Sequence, residues 1–451
     1  MKLQVKQNKR GLSINLKNRN FYLAYPEKIW QSYSQKAKNF LTNELAFLLT
    51  EEIPLLVRAK KVEYNTKRPF FIKQFKDSVI KEIPSIADDY KLSTKKLLQQ
   101  FKNIKFVFSD DNKKPIKLTK LKLDKEKTII PFSCGKDSLL SAALAKELSL
   151  KPVLVHIDDT TSPKENKIKI AFTKKLAKEQ KLKYYVVKNQ IEKLNDFEFW
   201  NRAETCIGFA HMITSFPFIS LPFSNFFHAK YILQGNEKSL DFSYKNNKNY
   251  ICYPSYDQTV RGMEKQNKML SVIGARVISF LKPIKDITIT RILHKRYKNF
   301  AKYQISCVGL DASSRKRWCC ACSTCADNFI LLKANNINTK KIGMQNMLSK
   351  KYKRYYVLFA GAEGKEIDRY DKGKEARDGQ LLAFYLAYKN HARGYLIDLF
   401  KKRFLKEVLT REDKLRKKFF KIYHSSTLEN LPAKIRKKLL GIYKEELKGL
   451  V

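Results

Sequence analysis

The sequence contains no run of about 20 apolar residues, the length that a helix needs to cross a membrane. Residues 1–6 also lack the apolar core of a signal peptide. Internal repeats are missing, and the only compositional bias is toward lysine. We therefore expect a cytoplasmic protein with no membrane partner. Its 451 residues exclude a disulfide-stapled miniprotein and predict about two to three domains.

Acidic residues are scarce, because 43 Asp and Glu stand against 91 Lys and Arg, which gives a formal net charge of +48. Such a surplus suits contact with the phosphate backbone of RNA. The lysines are scattered through the whole chain, so a biased genome or a salt-adapted cytosol explains the charge equally well. The densest basic stretch, residues 414–438, has a helical pattern with an apolar side formed by Leu415, Phe419, Phe420 and Ile435.

Changes in pattern divide the chain into four predicted parts. The first mixes strand-like runs, such as residues 21–24, with a helical pattern at residues 40–49. A polar, turn-rich segment at residues 110–115 marks its end. The four parts are an accessory N-terminal domain (1–115), an α/β domain (116–300), a metal-binding and helical segment (301–390) and a basic helical tail (391–451).

From residue 128 onward, strand-like runs alternate with amphipathic helices. Residues 152–157 form a continuous apolar run, which is typical of a parallel strand covered on both faces. Ser162, Pro163 and Glu165 combine an N-cap, a proline at the first helical position and a capping-box acid, so they predict a helix start. The alternation predicts a doubly wound parallel sheet that binds ligands at the carboxyl ends of its strands. The predicted strands are 128–132, 152–157, 184–187, 231–233 and 276–280.

Residues 133–138 connect the first of these strands to its helix. At such a junction, free backbone N–H groups and the positive end of the helix favour an anion. Two serines can donate hydrogen bonds to phosphate, a glycine allows close approach, a lysine neutralises charge, and an aspartate positions Mg²⁺ or a loop amide. These residues are Ser133, Ser138, Gly135, Lys136 and Asp137. An ordinary turn with a capping serine is the alternative.

The string Ser-x-Gly-x-Asp-Ser in this loop resembles the PP-loop of the ATP pyrophosphatases, which is written Ser-Gly-Gly-x-Asp-Ser. The resemblance implies an α/β fold of the HUP class, ATP and Mg²⁺ as cofactors, and ATP contacts along the whole loop, with Lys136 and Asp137 as the catalytic residues. Cys134 stands where the family has its first glycine. A left-handed backbone at that position would be strained by the side chain.

The resemblance continues downstream of the loop. Asp158 and Asp159, at the end of the second strand, match the place where such enzymes approach the adenosine of ATP, although an acidic turn before a helix explains them equally well. Residues 234–239 resemble the Gly-Asn-Glu-x-Ser segment of PP-loop enzymes that activate carboxylates. This implies ATP contacts by Gly235 and Asn236 and substrate contacts by Glu237 and Ser239.

Five of the eight cysteines lie between residues 307 and 325. Two residues between ligands allow a tight turn to offer both sulfurs, and four thiolates suit tetrahedral zinc. An iron-sulfur cluster uses the same ligands and stays an alternative. The predicted ligands are Cys307, Cys319, Cys322 and Cys325, with Cys320 as a spare that could replace Cys319.

The cysteine pattern resembles the zinc site of 7-cyano-7-deazaguanine synthases, PP-loop enzymes of queuosine biosynthesis, although the first gap is eleven residues here instead of eight. The Trp-Cys-x-x-Cys-x-x-Cys phrase from Trp318 also resembles PP-loop enzymes that epimerise the terminal glutamate of a muramoyl dipeptide. The resemblance implies adenylation of a small-molecule or peptide carboxylate with release of pyrophosphate. An epimerase or ligase acting on a peptide and a tRNA-modifying enzyme are the alternatives.

Overall fold

The computed structural model describes residues 1–110, 123–159, 163–307, 317–367, 369–372 and 374–450. The predicted N-cap Ser162 and most of the predicted boundary at 110–115 lie outside this set. The strands are β1 Lys2–Asn8, β2 Gly11–Leu16, β3 Arg19–Ala24, β4 Lys61–Lys67, β5 Lys105–Asp110, β6 Asp124–Pro131, β7 Pro152–Asp159, β8 Lys183–Asn189, β9 Ala229–Leu233, β10 Tyr244–Lys245, β11 Ile251–Cys252 and β12 Arg276–Ile278.

The α-helices of the first 301 residues are α1 Glu27–Gln31, α2 Gln35–Leu48, α3 Ile53–Val57, α4 Ile72–Asp89, α5 Thr94–Lys102, α6 Lys136–Glu147, α7 Pro163–Gln180, α8 Met212–Phe227, α9 Val260–Leu270, α10 Asp286–Lys295 and α11 Lys298–Ala301. Those that follow are α12 Ser323–Ala334, α13 Val357–Ala360, α14 Lys374–Lys389, α15 Tyr395–Leu409, α16 Glu412–Phe420 and α17 Ala433–Leu447. None of the helices in the described ranges has the length and apolar character needed to span a bilayer.

Ten strands form one sheet in the order β12-β9-β6-β7-β8-β3-β2-β1-β4-β5. The five predicted strands correspond to β6, β7, β8, β9 and β12, and they pair in parallel throughout. Chain order runs outward from β6 in both directions, toward β8 on one side and toward β12 on the other. This reversal opens a crevice at the carboxyl end of β6, where open α/β sheets bind ligands. The predicted α/β class is therefore confirmed, and the PP-loop fold itself stays a prediction.

Successive residues of the central strands belong to two cores on opposite faces of the sheet. Ile129 packs into the first core with α8, whereas its neighbour Ile130 packs into the second with α6 and α10. This follows from the period of two in a strand, and the parallel strands are apolar at consecutive positions because both faces are covered.

The N-terminal region extends the same sheet. Strand β3 pairs antiparallel with β8, and residues of β1, β2 and α2 share the first core with β6 and β7. The sheet and this core thus continue across the predicted boundary at residues 115 and 116.

The C-terminal region forms a third core beside the sheet and then returns to it. Helices α12, α14, α15 and α16 bury their apolar faces together with Cys307 and Cys325. Helix α17, in the predicted basic tail, packs in the second core, where the Tyr443 hydroxyl donates a 2.7 Å hydrogen bond to the Phe280 carbonyl oxygen. The most basic stretch of the sequence therefore buries an apolar side, as its helical pattern predicts.

Candidate active site and metal centre

The loop of residues 133–135 leaves β6 at the crevice and leads directly into α6. Gly135 is the N-cap of this helix. The Ser138 hydroxyl donates to the Gly135 carbonyl oxygen at 3.1 Å, and the Ser133 N–H donates to the Ser138 hydroxyl at 3.3 Å. The Lys136 N–H donates to the Ser306 hydroxyl at 3.3 Å. The loop thus wraps around the positive end of α6, which is an arrangement that favours an anion.

Cys134 adopts the left-handed backbone conformation, with a φ of 58°. This conformation costs a non-glycine residue about 1–2 kcal/mol. The side chain is fully buried, and its Sγ lies 3.1 Å from the Thr173 hydroxyl oxygen. Burial raises the pKa of the thiol to about 12, so it stays neutral near pH 7. Cys134 therefore anchors the loop in the core, and its side chain is not placed to contact phosphate.

Lys136 lies between two carboxylates. Its Nζ is 2.9 Å from Asp137 Oδ1 and 3.0 Å from Glu237 Oε1. Burial opposes its charge, but Asp137 and Glu237 outweigh this and raise the pKa of Lys136 above its usual value. Burial raises the pKa of Glu237 to about 8, against the attraction of Lys136. The lysine is thus held charged beside the loop by two predicted site residues.

The other predicted site residues either lie against the loop or form hydrogen bonds within the protein. A Cβ at Gly235 would lie 2.8 Å from Asp137 Cβ, so glycine lets the end of β9 approach the loop. The Asn236 side chain donates to Gln234 at 3.1 Å, and the Ser239 hydroxyl accepts from the Asp286 N–H at 3.1 Å. These two hydrogen bonds are buried or partly buried and hold the segment after β9 in place. Ser239 also lines the outer cavity, which is described below.

Two cavities meet at the loop. The inner cavity, 350 Å³, extends from the loop toward α8, and the outer cavity, 330 Å³, extends toward α12 and α14. Ser133 and Lys169 line both. The outer cavity also contacts Gly135, Lys136, Asp137 and Glu237. Of the two predicted aspartates at the end of β7, Asp159 lines the inner cavity and Asp158 lines neither of these two cavities.

The inner cavity carries three buried acceptor atoms. The His156 Nδ1 lies 2.9 Å from the Phe132 carbonyl oxygen, so this nitrogen carries the proton and Nε2 is left as an acceptor. Burial lowers the pKa of His156, which keeps the ring neutral. His156 Nε2 and Asn189 Oδ1 accept no hydrogen bond from any described residue, whereas Glu192 Oε1 lies 3.4 Å from His211 Nε2. All three side chains are at least nine-tenths buried. A ligand with several N–H or O–H donors would satisfy them.

Lys169 lies on α7 where the two cavities meet. Its Nζ contacts the Glu165 carboxylate one helical turn away, and its side chain is only 14% exposed. Burial lowers the pKa of this lysine below its usual value. It is the second cation at the junction, after Lys136.

The four predicted cysteine ligands come together. One Sγ atom from each of Cys307, Cys319, Cys322 and Cys325 lies within 4.8 Å of all the others. Cys319 Sγ is 3.5 Å from Cys322 Sγ and 3.7 Å from Cys325 Sγ. A tetrahedral metal with bonds of about 2.3 Å requires sulfurs about 3.8 Å apart, so this donor set fits a metal ion.

Backbone N–H groups orient three of these sulfurs, including Cys319 Sγ, which accepts from the Ala321 N–H at 3.3 Å. The Cys319 N–H donates to Cys307 Sγ at 3.3 Å, and the Cys325 N–H donates to Cys322 Sγ at 3.4 Å. The second contact makes Cys322 the N-cap of α12. The cysteine cluster therefore lies at the start of the helix that supplies Asp327 and Asn328 to the outer cavity.

Sequence reasoning missed Lys169 and three acceptors of the inner cavity, His156, Asn189 and Glu192. A signal existed for His156, because it interrupts the apolar run of β7 with a polar ring. No comparable signal marks the other three. No protein-family model, curated protein or solved structure matches this chain.

Proposed function

We propose that this protein binds ATP and adenylates a substrate carboxylate, with release of pyrophosphate. The observation that carries the proposal is the loop between the carboxyl end of β6 and the positive end of α6, which adjoins a cavity with two buried acceptors, His156 Nε2 and Asn189 Oδ1, that lack donors among the described residues. ATP offers what both parts need, a polyphosphate for the loop and N–H and O–H donors on its base and ribose for the inner cavity.

In this proposal the adenosine occupies the inner cavity. The amino group of adenine and the ribose hydroxyls donate to His156 Nε2, Asn189 Oδ1 and Glu192 Oε1. The apolar side chains of Phe132, Ile157, Met212 and Phe216, which also line this cavity, cover the faces of the base. The polyphosphate then extends along the loop toward the outer cavity.

The chemistry follows from this orientation. A carboxylate oxygen of the substrate, held in the outer cavity, attacks the α-phosphorus. An O–P bond forms, the bond between the α-phosphorus and the bridging oxygen to the β-phosphorus breaks, and the electron pair leaves with pyrophosphate. Loop N–H groups and Lys136 stabilise the leaving group, and Lys169 faces the α-phosphate. Mg²⁺, which neutralises phosphate charge in such reactions, would be held by Asp137.

We further propose that the metal at the four cysteines is zinc with a structural role. Four protein sulfurs leave no open coordination position, which is the pattern of structural zinc sites. The centre lies at the start of α12 and buries two of its cysteines completely, Cys307 and Cys325. It therefore holds the outer wall of the cavity and takes no part in the reaction.

Pyrophosphate release from ATP by metal-loaded protein tests the function. The substrates to screen are 7-carboxy-7-deazaguanine with ammonium, glutamyl peptides and bulk tRNA, which separate the three activities considered from the sequence. We expect release that depends on one of these substrates and falls at least about 100-fold in Asp137→Asn, because charge stabilisation in such sites is worth several kcal/mol. Bound ATP without release for any of the three would reduce the protein to a nucleotide-binding module.

A further inference from the structure

Carboxylates crowd the outer cavity, although the chain as a whole carries a net charge of +48. Six carboxylates and two lysines line it. A site for a polyphosphate and a second anion needs fewer negative charges than this, because like charges repel strongly where water is excluded. The six are Asp137, Glu237, Asp286, Asp327, Asp371 and Glu375.

Protein cations account for some of these charges. Lys136 contacts Asp137 and Glu237, and Glu375 contacts Lys285 and Lys418. Two others have neutral donors instead. Asp286 accepts from the Ile287 N–H at 2.7 Å, and Asp327 accepts from the Gln380 amide at 3.4 Å. A bound cation would offset the negative charge that these two carboxylates add to the cavity.

Glu237 supplies an independent indication of a ligand. Its Oε1 contacts Lys136, but its Oε2 is buried and accepts no hydrogen bond from the described residues. The residue as a whole is only 7% exposed, and it lines the outer cavity. A buried acceptor without a donor costs about 1–3 kcal/mol, so an N–H donor on a ligand would bind there favourably.

The geometry of the outer cavity suits an organic cation better than a second metal ion. In the described part of the chain, only the four cysteines bring three or more candidate ligand atoms within 4.8 Å of one another. No three acidic side chains of the outer cavity therefore form a ready metal site, whereas an ammonium group needs only one or two acceptors. Leu240, Phe242 and Phe419 also line the cavity, and they suit a short apolar linker.

The acidic character continues beyond the outer cavity. A side cavity of 790 Å³ shares Tyr370 with it and Met212 with the inner cavity. Five carboxylates and three lysines line its wall, and one of these lysines, Lys372, pairs with Asp88 and Asp89. Acidic groups therefore outnumber basic ones here as well, which favours the approach of a cation.

We propose that the carboxylate activated at this site belongs to a small zwitterion, an amino-acid-like molecule whose ammonium or guanidinium group binds Glu237 Oε2 and Asp327 in the outer cavity. This inference rests on the proposed function, because it takes from it that the carboxylate is adenylated. The carboxylate of the ligand faces the loop, and its apolar linker packs on Phe242 and Phe419. Its cationic group donates a hydrogen bond to Glu237 Oε2.

Calorimetric binding to the full-length, metal-loaded protein tests the inference with α,β-methylene-ATP present. The probes are the common amino acids, 4-aminobutyrate and 4-guanidinobutyrate, each matched with the acid that lacks the nitrogen group. We expect at least one zwitterion to bind about tenfold or more tightly than its match, since a hydrogen bond to a charged group contributes about 1.5–3 kcal/mol. Equal binding within every pair, or no binding of any zwitterion, overturns the inference.

Variants of Glu237 and Asp327 test whether these two carboxylates cause the tighter binding of the zwitterion. Glu237→Gln should abolish the difference within the pair, and Asp327→Asn should reduce it without touching the Lys136 ion pair. Glu366→Gln, at an exposed glutamate, is the matched control and should keep the difference in binding between the zwitterion and its matched acid. A preference that survives both cavity variants contradicts the inference.

The same probes separate the inference from the proposed function. Pyrophosphate release with a desamino acid, but with no zwitterion, supports adenylation and overturns the inference. Binding of a zwitterion that depends on Glu237 without any pyrophosphate release supports the inference and overturns adenylation.

Discussion

Replacing Cys322 with serine should remove the metal and loosen the outer wall of the cavity. Cys322 contributes one of the four clustered sulfurs and is also the N-cap of α12. Metal sites of this type bind with apparent energies of about 10–16 kcal/mol in zinc-finger peptides. The third core holds many apolar residues besides the cysteines, so we expect the variant to fold but to lose the metal-dependent part of its stability.

The size of this loss can be worked from linkage. A metal present at about 1,000 times its dissociation constant stabilises the folded state by about 4 kcal/mol. The unfolding entropy is about 2.1 cal/mol/K per residue, or roughly 1 kcal/mol/K for a chain of this length. If the chain unfolds as one unit, Tm should therefore fall by about 4 °C.

Scanning calorimetry with metal analysis by mass spectrometry measures both quantities, and Cys320→Ser provides the control. Cys320 is buried beside the cluster but does not belong to it. We expect one metal ion per chain in the wild type and in Cys320→Ser, and none in Cys322→Ser. A Cys322→Ser protein that keeps its metal, or that loses it with an unchanged Tm, would refute the reasoning.

Three further predictions concern the cavities. Lys169→Met should weaken ATP binding about tenfold, because a buried cation beside the phosphates is lost. Lys167→Met, at an exposed lysine of the same helix, should leave ATP binding unchanged. Titration with a fluorescent nucleotide compares the two variants. Asn189→Leu should weaken ATP binding by roughly 2- to 10-fold through the loss of one hydrogen bond, and an unchanged dissociation constant would remove Asn189 from the nucleotide site. Glu237→Gln should flatten the pH dependence of stability. The folded pKa of Glu237, about 8, lies above its unfolded value, so its stabilising contribution is fully present below about pH 4.5 and is lost as the pH rises through 8. Denaturant unfolding from pH 5 to 9 should show a steeper decline for wild type than for the variant, and parallel curves would contradict this assignment.

The sequence predicts those parts of the fold that have a local signal. The five central strands and α6 show periodicity within short windows, Pro163 and Glu165 mark the start of α7, and all of these elements are found. The cysteine cluster is also predictable, because the spacing of Cys319, Cys322 and Cys325 brings their sulfurs together within one turn and a half of chain.

The remaining features depend on contacts between distant segments. The pairing of β3 with β8 joins residues about 165 positions apart, and no local pattern specifies it. The sequence raises the left-handed backbone at Cys134 only as an alternative, and the contact of its side chain with Thr173 on α7 is not visible from the loop alone. The acceptors of the inner cavity come from β7, β8 and the turn after β8, and the lack of donors for His156 Nε2 and Asn189 Oδ1 among the described residues becomes visible only in three dimensions.

Phosphorus NMR of the products of ATP tests the central claim most directly, because it shows which phosphorus-oxygen bond is cleaved. The protein should be incubated with Mg²⁺, ATP and the zwitterions and acids described above, with Asp137→Asn in parallel. The account predicts AMP or an adenylate together with pyrophosphate, formed only by the wild type. Formation of ADP and inorganic phosphate would contradict it, since the nucleotide would then be cleaved at the γ-phosphate and not at the α-phosphate.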